Sequence, residues 1–362
     1  MSIRPALARR LGPTDATLIG LGSMIGAGVF AAFTPAAQAA GSGLLVGLAV
    51  AALVAFANAT SSAQLAAVYP TSGGSYVYGR ERLGHWWGFF AGWSFVIGKT
   101  ASCAAMALTF AAYAAPAGWE RPVAIVAVVA LATVNLFGIT RTALLTRVIV
   151  VVVLVVLAVV VAAGASTGLQ ALAVTGSLVA GGWYGILQSA GLLFFAFAGY
   201  ARIATMGEEV RDPARTIPLA ITLALSATVL IYAVIGVVVL GVLGPDGVAG
   251  TPTPLSATVG AAGCAWATPV VRVGAAAASL GALLALVAGI GRTTLAMARE
   301  RDLPGWLAAV HPRFSVPYRA EIALALVVIV LVGTVDLRGA IGFSSFGVLL
   351  YYVIANASAI TQ

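Results

Sequence analysis

The chain has 362 residues, of which 61% are hydrophobic and 8% charged, with a mean hydropathy of +1.05. Soluble globular domains are roughly 45–50% apolar, so this composition excludes one and points to a polytopic membrane protein. The net charge of +8 would suggest nucleic acid in a soluble protein. Here the placement of the arginines accounts for it through topology.

A bilayer-crossing helix needs about 20 apolar residues. Ten such segments are predicted: 16–38, 44–68, 87–112, 123–138, 144–164, 187–206, 217–240, 270–297, 320–335 and 340–360. With a cytoplasmic N-terminus, Arg4, Arg9, Arg10, Arg80, Arg82, Arg141, Arg147, Arg211, Arg215, Arg299, Arg301, Arg313 and Arg319 all fall inside, and only Arg121, Arg272 and Arg338 fall outside. No small-residue cleavage site follows a short apolar core, so the first span is expected to be an uncleaved helix. Cys103 and Cys264 do not make a disulfide framework.

The first span contains Gly20-Leu21-Gly22-Ser23-Met24-Ile25-Gly26-Ala27-Gly28-Val29-Phe30, with four glycines in nine residues. Each glycine costs a helix interior about 1 kcal/mol against alanine, and irregular backbone at membrane depth persists only where protein covers it or a cavity adjoins it. A broken helix is therefore expected. Its second half would offer free N–H groups to a carboxylate and its first half free carbonyls to an ammonium, so a zwitterion would fit both. The alternative is that the glycines only let another helix approach closely.

The second span ends in Tyr69-Pro70-Thr71-Ser72-Gly73-Gly74-Ser75-Tyr76-Val77-Tyr78-Gly79-Arg80. The third carries Lys99, the only lysine, thirteen residues past Trp86. That spacing puts it about 20 Å along a helix. A charged lysine at such depth costs about 2.5–3.5 kcal/mol, so it should face the bundle interior, be neutral or have a partner. It is either a structural donor to carbonyls at a helix break or a coupling group. The fourth and fifth spans carry little chemistry, and the run 148–161 of the fifth, apolar on every side, suits a scaffold helix. Residues 164–182, rich in Gly, Ser and Ala, are expected to form a short surface helix between two similar halves.

The sixth span reads Phe194-Phe195-Ala196-Phe197-Ala198-Gly199-Tyr200-Ala201-Arg202-Ile203-Ala204-Thr205-Met206-Gly207-Glu208-Glu209, a small-residue window among aromatics. Interruptions at matching places in two halves of five spans point to an inverted repeat, since an odd number of crossings reverses the second half. Asp212 before Pro213 is expected to cap a short loop helix. His85 and His311 lie far apart, with no cysteine or acid at ligand spacing, so no metal site is expected.

These segments resemble the amino acid-polyamine-organocation permeases: the Tyr69–Tyr78 run, the first-helix Ile25–Phe30 motif, and the loop after the eighth span, where Glu300, Arg301 and Asp302 replace an Asp-Gly pair. The sixth span is similar to the cationic amino acid branch, except that Ala201 and Arg202 follow the aromatic where that branch commonly has an aspartate. The resemblance implies an all-α membrane protein with a LeuT-like five-plus-five inverted repeat. Helices 1 and 6 would be broken, and the usual helices 11 and 12 would be lacking. The expected organisation is 1–13 as a cytoplasmic segment, 14–164 as the first repeat, 165–182 as an extracellular connector and 183–362 as the second repeat.

The function expected is secondary active transport of an amino acid across the plasma membrane by alternating access, coupled to protons. The alternatives are a polyamine or cationic amino acid exchanger, or a non-transporting sensor on the same fold. An enzyme is not expected, because no nucleophile–base pair, metal cluster or paired acids lie within the spans. Substrate contacts are assigned to Ser23, Met24, Ile25, Gly26, Ala27 and Gly28, and to Phe194, Phe195, Ala196, Phe197, Ala198, Gly199 and Tyr200. Lys99 is assigned to coupling, and Arg202, Glu208 and Glu209 to gating. Thr293 and Thr294 with helix 1 carbonyls are the weaker option of a sodium site. Some related carriers use a lysine in the fifth helix where others use sodium; here the run 148–161 of that helix holds only apolar residues. No cofactor or metal is expected; the partners are the amino acid or amine, protons and the lipid bilayer.

Overall fold

The computed structural model describes residues 12–69, 74–138, 143–168, 177–179, 181–204 and 210–362. Among these residues every regular element is helical. Seven helical segments are long and apolar enough to cross a bilayer, and the shorter Glu120–Leu136, Gly182–Phe197 and Tyr318–Thr334 correspond to the fourth, sixth and ninth predicted spans.

The first span is broken where the glycines cluster. Helix α1 (Pro13–Met24) ends at Ile25, and α2 (Ala27–Ala31) begins after Gly26, whose φ of −106° and ψ of −139° lie outside the helical region. Ala32 keeps helical dihedrals, so α2 continues into α3 (Phe33–Ala40). Then follow α4 (Leu44–Val68), the short α5 (Ser75–Arg82), α6 (His85–Ala114), α7 (Glu120–Leu136) and α8 (Ala143–Ala165). The second half opens with α9 (Gly182–Phe197), which stops at Ala198, and chain resumes as α10 (Ala201–Ala204). It continues through α11 (Pro213–Ala249), α12 (Pro254–Ala261), α13 (Thr268–Arg299), α14 (Tyr318–Thr334) and α15 (Leu337–Ile360).

Three local expectations change. Pro213 opens the long α11 itself rather than a separate loop helix. Asp212 makes no side-chain cap and sits at a positive φ of 46°. The sixth-span window from Ala196 to Gly199 is unwound only from Ala198 onward, since Ala196 and Phe197 are still helical. The connector helix expected within 164–182 lies mostly at 169–176 and 180, outside the described residues, as do Pro70 to Gly73 and Arg141.

Helix α6 runs through the centre, packed against α15, α13, α7 and α14, while α4 packs against α9, α11 and α15. Close approach of α6 and α15 depends on two facing glycines: a methyl on Gly347 would stand 2.7 Å from Gly98 Cα, and Ser102 and Ser344 join their hydroxyls at 2.6 Å one turn along. On α8 the valines divide by face. Val150, Val153, Val156 and Val160 are buried, whereas Val148, Val151 and Val155 are exposed, as on a scaffold helix with one side in lipid.

An ionic network ties α5 to the segment after α13. The Asp302 carboxylate, 2% exposed, accepts from the Tyr76 hydroxyl at 2.7 Å and from Arg80 at 3.2 Å, and His85 approaches it at 3.4 Å. Arg80 also reaches Glu300 at 3.4 Å. Burial, and then the Asp302 carboxylate, push the Tyr76 phenol above its usual range. The residues that read only as departures from a family pattern thus hold this end of the bundle together. Asp302→Ala would leave Tyr76 and Arg80 facing a buried vacancy. A loss of about 2 kcal/mol is expected, measured by denaturation of purified protein; unchanged stability would show the network to be solvated.

Candidate substrate site

The two breaks lie against each other at backbone distance. A methyl on Gly28 would stand 2.6 Å from both Cα and Cβ of Ala196, and one on Gly199 only 2.2 Å from the Ser23 carbonyl oxygen and 2.6 Å from Met24 N. A methyl on Gly26 would meet Ala282 Cβ of α13 at 3.2 Å. The glycines therefore serve both readings offered by the sequence: they break the helices, and they allow two backbones to touch.

The polar groups exposed by the breaks have definite partners. Gly26 N–H donates to Met24 O at 2.8 Å, so it is occupied rather than open to a carboxylate. The N–H groups of Ala27 and Gly28 begin α2, where a helix has no acceptors of its own. The Tyr232 hydroxyl of α11 lies 2.7 Å from Met24 O and 3.2 Å from Ala196 O, bridging the ends of both first half-helices. The Lys99 ammonium donates to Ala198 O at 3.1 Å, with the residue 7% exposed. Tyr113 donates to Phe30 O at 2.9 Å. Ser23 spends its hydroxyl on Ile19 O within its own helix.

The aromatic window divides between two surroundings. Phe194, Phe197 and Tyr200 are 0–1% exposed; Phe194 and Tyr200 pack on Tyr352, and Phe197 on Tyr232. Phe195, 7% exposed, belongs instead with α2, α6 and α13. Ile25 and Met24 are buried with the first group. Arg202 lies exposed on α10, and Glu208 and Glu209 lie outside the described residues.

Lys99 was legible as a buried group, but its acceptor was not, because Ala198 lies 99 residues away. Tyr232 was missed altogether: it is one tyrosine in an apolar span, and only its depth beside two interrupted helices gives it a role. The hydroxyls of Thr293 and Thr294 stand eleven and twelve residues beyond Ala282 on α13, about 17 Å along the helix, too far to share an ion with the α1 break. Thr293 donates to Gly289 O instead.

Tyr232→Phe would leave the Ala196 carbonyl without its donor and Met24 O with Gly26 N–H alone. An unmet buried acceptor costs about 1–3 kcal/mol, and a roughly tenfold fall in transport rate is expected in reconstituted vesicles; wild-type transport in this variant would deny the hydroxyl any role.

A helical bundle with two facing interrupted membrane helices, each ending in carbonyls held by buried donors, defines a multi-pass membrane permease of the LeuT-like class. Comparison with solved structures agrees. The crystal structure of MhsT in complex with L-phenylalanine superposes with a TM-score of 0.67 over 96% of this chain and 89% of that one, at 14% sequence identity. The amino acid permease family profile matches residues 11–361. An uncharacterized transporter of Mycobacterium tuberculosis is 64% identical over 355 residues, covering 98% of this chain and 80% of the relative. The branched-chain amino acid permease BcaP of Bacillus subtilis is 27% identical over 376 residues, covering 98% and 81%. The chain belongs to the amino acid permease family, and is a secondary transporter rather than an enzyme.

Proposed function

We propose that this permease carries an α-amino acid as its zwitterion across the plasma membrane by alternating access, with the N-terminus cytoplasmic and the movement coupled to protons. The carboxylate would sit at the N–H groups of Ala27 and Gly28. The amine would sit among the carbonyls of Met24, Ala196 and Ala198. The observation that carries this is the meeting of the two breaks, Gly28 on Ala196 and Gly199 on Ser23, which brings N–H groups and carbonyls of opposite polarity to one place. Helix-end contacts contribute about 0.3–2 kcal/mol each, so several must act together in a dry site. The printed ligand of MhsT and the printed name of the Bacillus permease favour an amino acid.

Coupling is assigned to Lys99. Its bond to Ala198 O occupies a carbonyl that the substrate amine also needs. Loss of the lysine proton on one side of the membrane would release that carbonyl, and its return on the other would expel the amine. The arginine distribution supports a cytoplasmic Arg80–Asp302 end.

The test is uptake of a labelled amino acid mixture into proteoliposomes under an imposed pH gradient or sodium gradient. Accumulation driven by the pH gradient and collapsed by a protonophore is expected. Accumulation that requires sodium and ignores the protonophore would refute the coupling, and binding without flux would favour a sensor.

A further inference from the structure

We infer that the side-chain subsite of this permease takes a neutral aliphatic amino acid and rejects basic, acidic and diamine substrates. This rests on the proposed placement of the zwitterion at the two breaks. From that point the walls are set by one contiguous apolar cluster: Ala27 and Ala31 of α2, Phe195 of α9, Ala282 of α13, and Cys103 and Met106 of α6. Cys103, Met106 and Ala107 follow Lys99 at four, seven and eight residues, the spacing of one helix face. An amine beside Ala198 O therefore sits at the foot of that face, with the substrate side chain lying along it.

Phe195, Ala282 and Met106 are 7–9% exposed, whereas Cys103, Ala104 and Ala105 are fully buried. The alanines supply room, and the larger side chains set its length. The Thr100, Ser102 and Thr109 hydroxyls of α6 are taken up, while the buried Ser279 hydroxyl, three residues before Ala282 on α13, has no partner among the described residues. Thr100 donates to Val96 O, Thr109 to Ala105 O, and Ser102 meets Ser344 and Gly98 O.

Charge points the same way. The sequence has eleven acids, and none falls within α2, α4, α6, α9, α13 or α15; the buried Glu321 of α14 packs on Gly291, nine residues along α13 from Ala282. A guanidinium or second ammonium in this subsite would be buried with no acid on these helices as counterion, an arrangement that membrane interiors strongly disfavour. A side-chain carboxylate would face a Lys99 that has given up its proton to free Ala198 O for the amine, and so would be buried without a cation.

Counterflow into proteoliposomes separates the outcomes. Leucine, isoleucine and valine are expected to exceed arginine, lysine, putrescine and glutamate by at least 100-fold in kcat/KM. Met106→Ala lengthens the subsite and should raise the ratio of phenylalanine to leucine transport at least tenfold, a gain that misfolding cannot produce. Arginine, putrescine or glutamate equal to leucine, or an unchanged ratio in Met106→Ala, would overturn the assignment. Flux of none of these solutes would remove the carrier reading beneath it.

Discussion

Gly199→Ala is expected to abolish transport, with a loss of at least 100-fold, and to destabilise the protein by about 3 kcal/mol. The added methyl would stand 2.2 Å from Ser23 O, 2.4 Å from Ser23 C and 2.6 Å from Met24 N, all backbone atoms of α1. No side-chain rotation relieves such a contact. The two interrupted helices must separate, and overpacking a close-packed interior costs about 1–3 kcal/mol even where side chains can adjust. Two controls isolate the effect. A methyl on Gly20 would meet side-chain atoms alone, Cδ1 and Cγ1 of Ile203 at 2.1 and 2.7 Å and Ala224 Cβ at 3.4 Å, and one on Gly191 meets nothing within 4 Å. Gly20→Ala should therefore transport within a few-fold of wild type and Gly191→Ala indistinguishably from it. Uptake assays and thermal unfolding of the three variants decide the matter, and a wild-type Gly199→Ala would mean that the breaks do not touch during the cycle.

Lys99→Met should eliminate accumulation against a gradient and reduce exchange 10- to 100-fold. Methionine matches the length of the side chain but donates nothing, leaving Ala198 O unpaired. A buried hydrogen bond from a charged donor contributes about 1.5–3 kcal/mol, which corresponds to that range. A lysine that only braced the unwound sixth span would lower exchange and accumulation alike. A lysine that carries the coupling proton gives a sharper signature: residual exchange becomes independent of pH while uphill uptake vanishes. Measuring both over a pH series in proteoliposomes distinguishes them, and full uphill uptake in the variant would remove Lys99 from the mechanism. Lys99→Arg is expected to be as defective as methionine for accumulation, because arginine keeps its charge at every accessible pH.

The two breaks were legible because glycine is costly in a helix and cannot recur by accident at membrane depth without backbone consequences. The aromatic window of the sixth span was less so. Phe194, Phe195, Phe197 and Tyr200 look alike in one dimension. Helix rotation alone put Phe195 on the α6 and α13 side and the others against Tyr352 and Tyr232. Asp302 shows the same limit from the opposite side. A solvated loop acid and a buried network centre have the same neighbours in sequence, and only the approach of α5 separates them.

The amino acid sequence by itself determined that this is a helical membrane protein, where its chain is interrupted, and that its one lysine is buried. Composition, hydropathy and glycine spacing act locally, over one or two helical turns, and so can be read locally. Tertiary structure alone decided what the interruptions meet: Tyr232 across two carbonyls, Lys99 on Ala198, Ala282 over Gly26, and an acid-free wall along α6. Those are contacts between residues dozens to hundreds of positions apart, fixed by how the helices pack rather than by the preferences of any single segment.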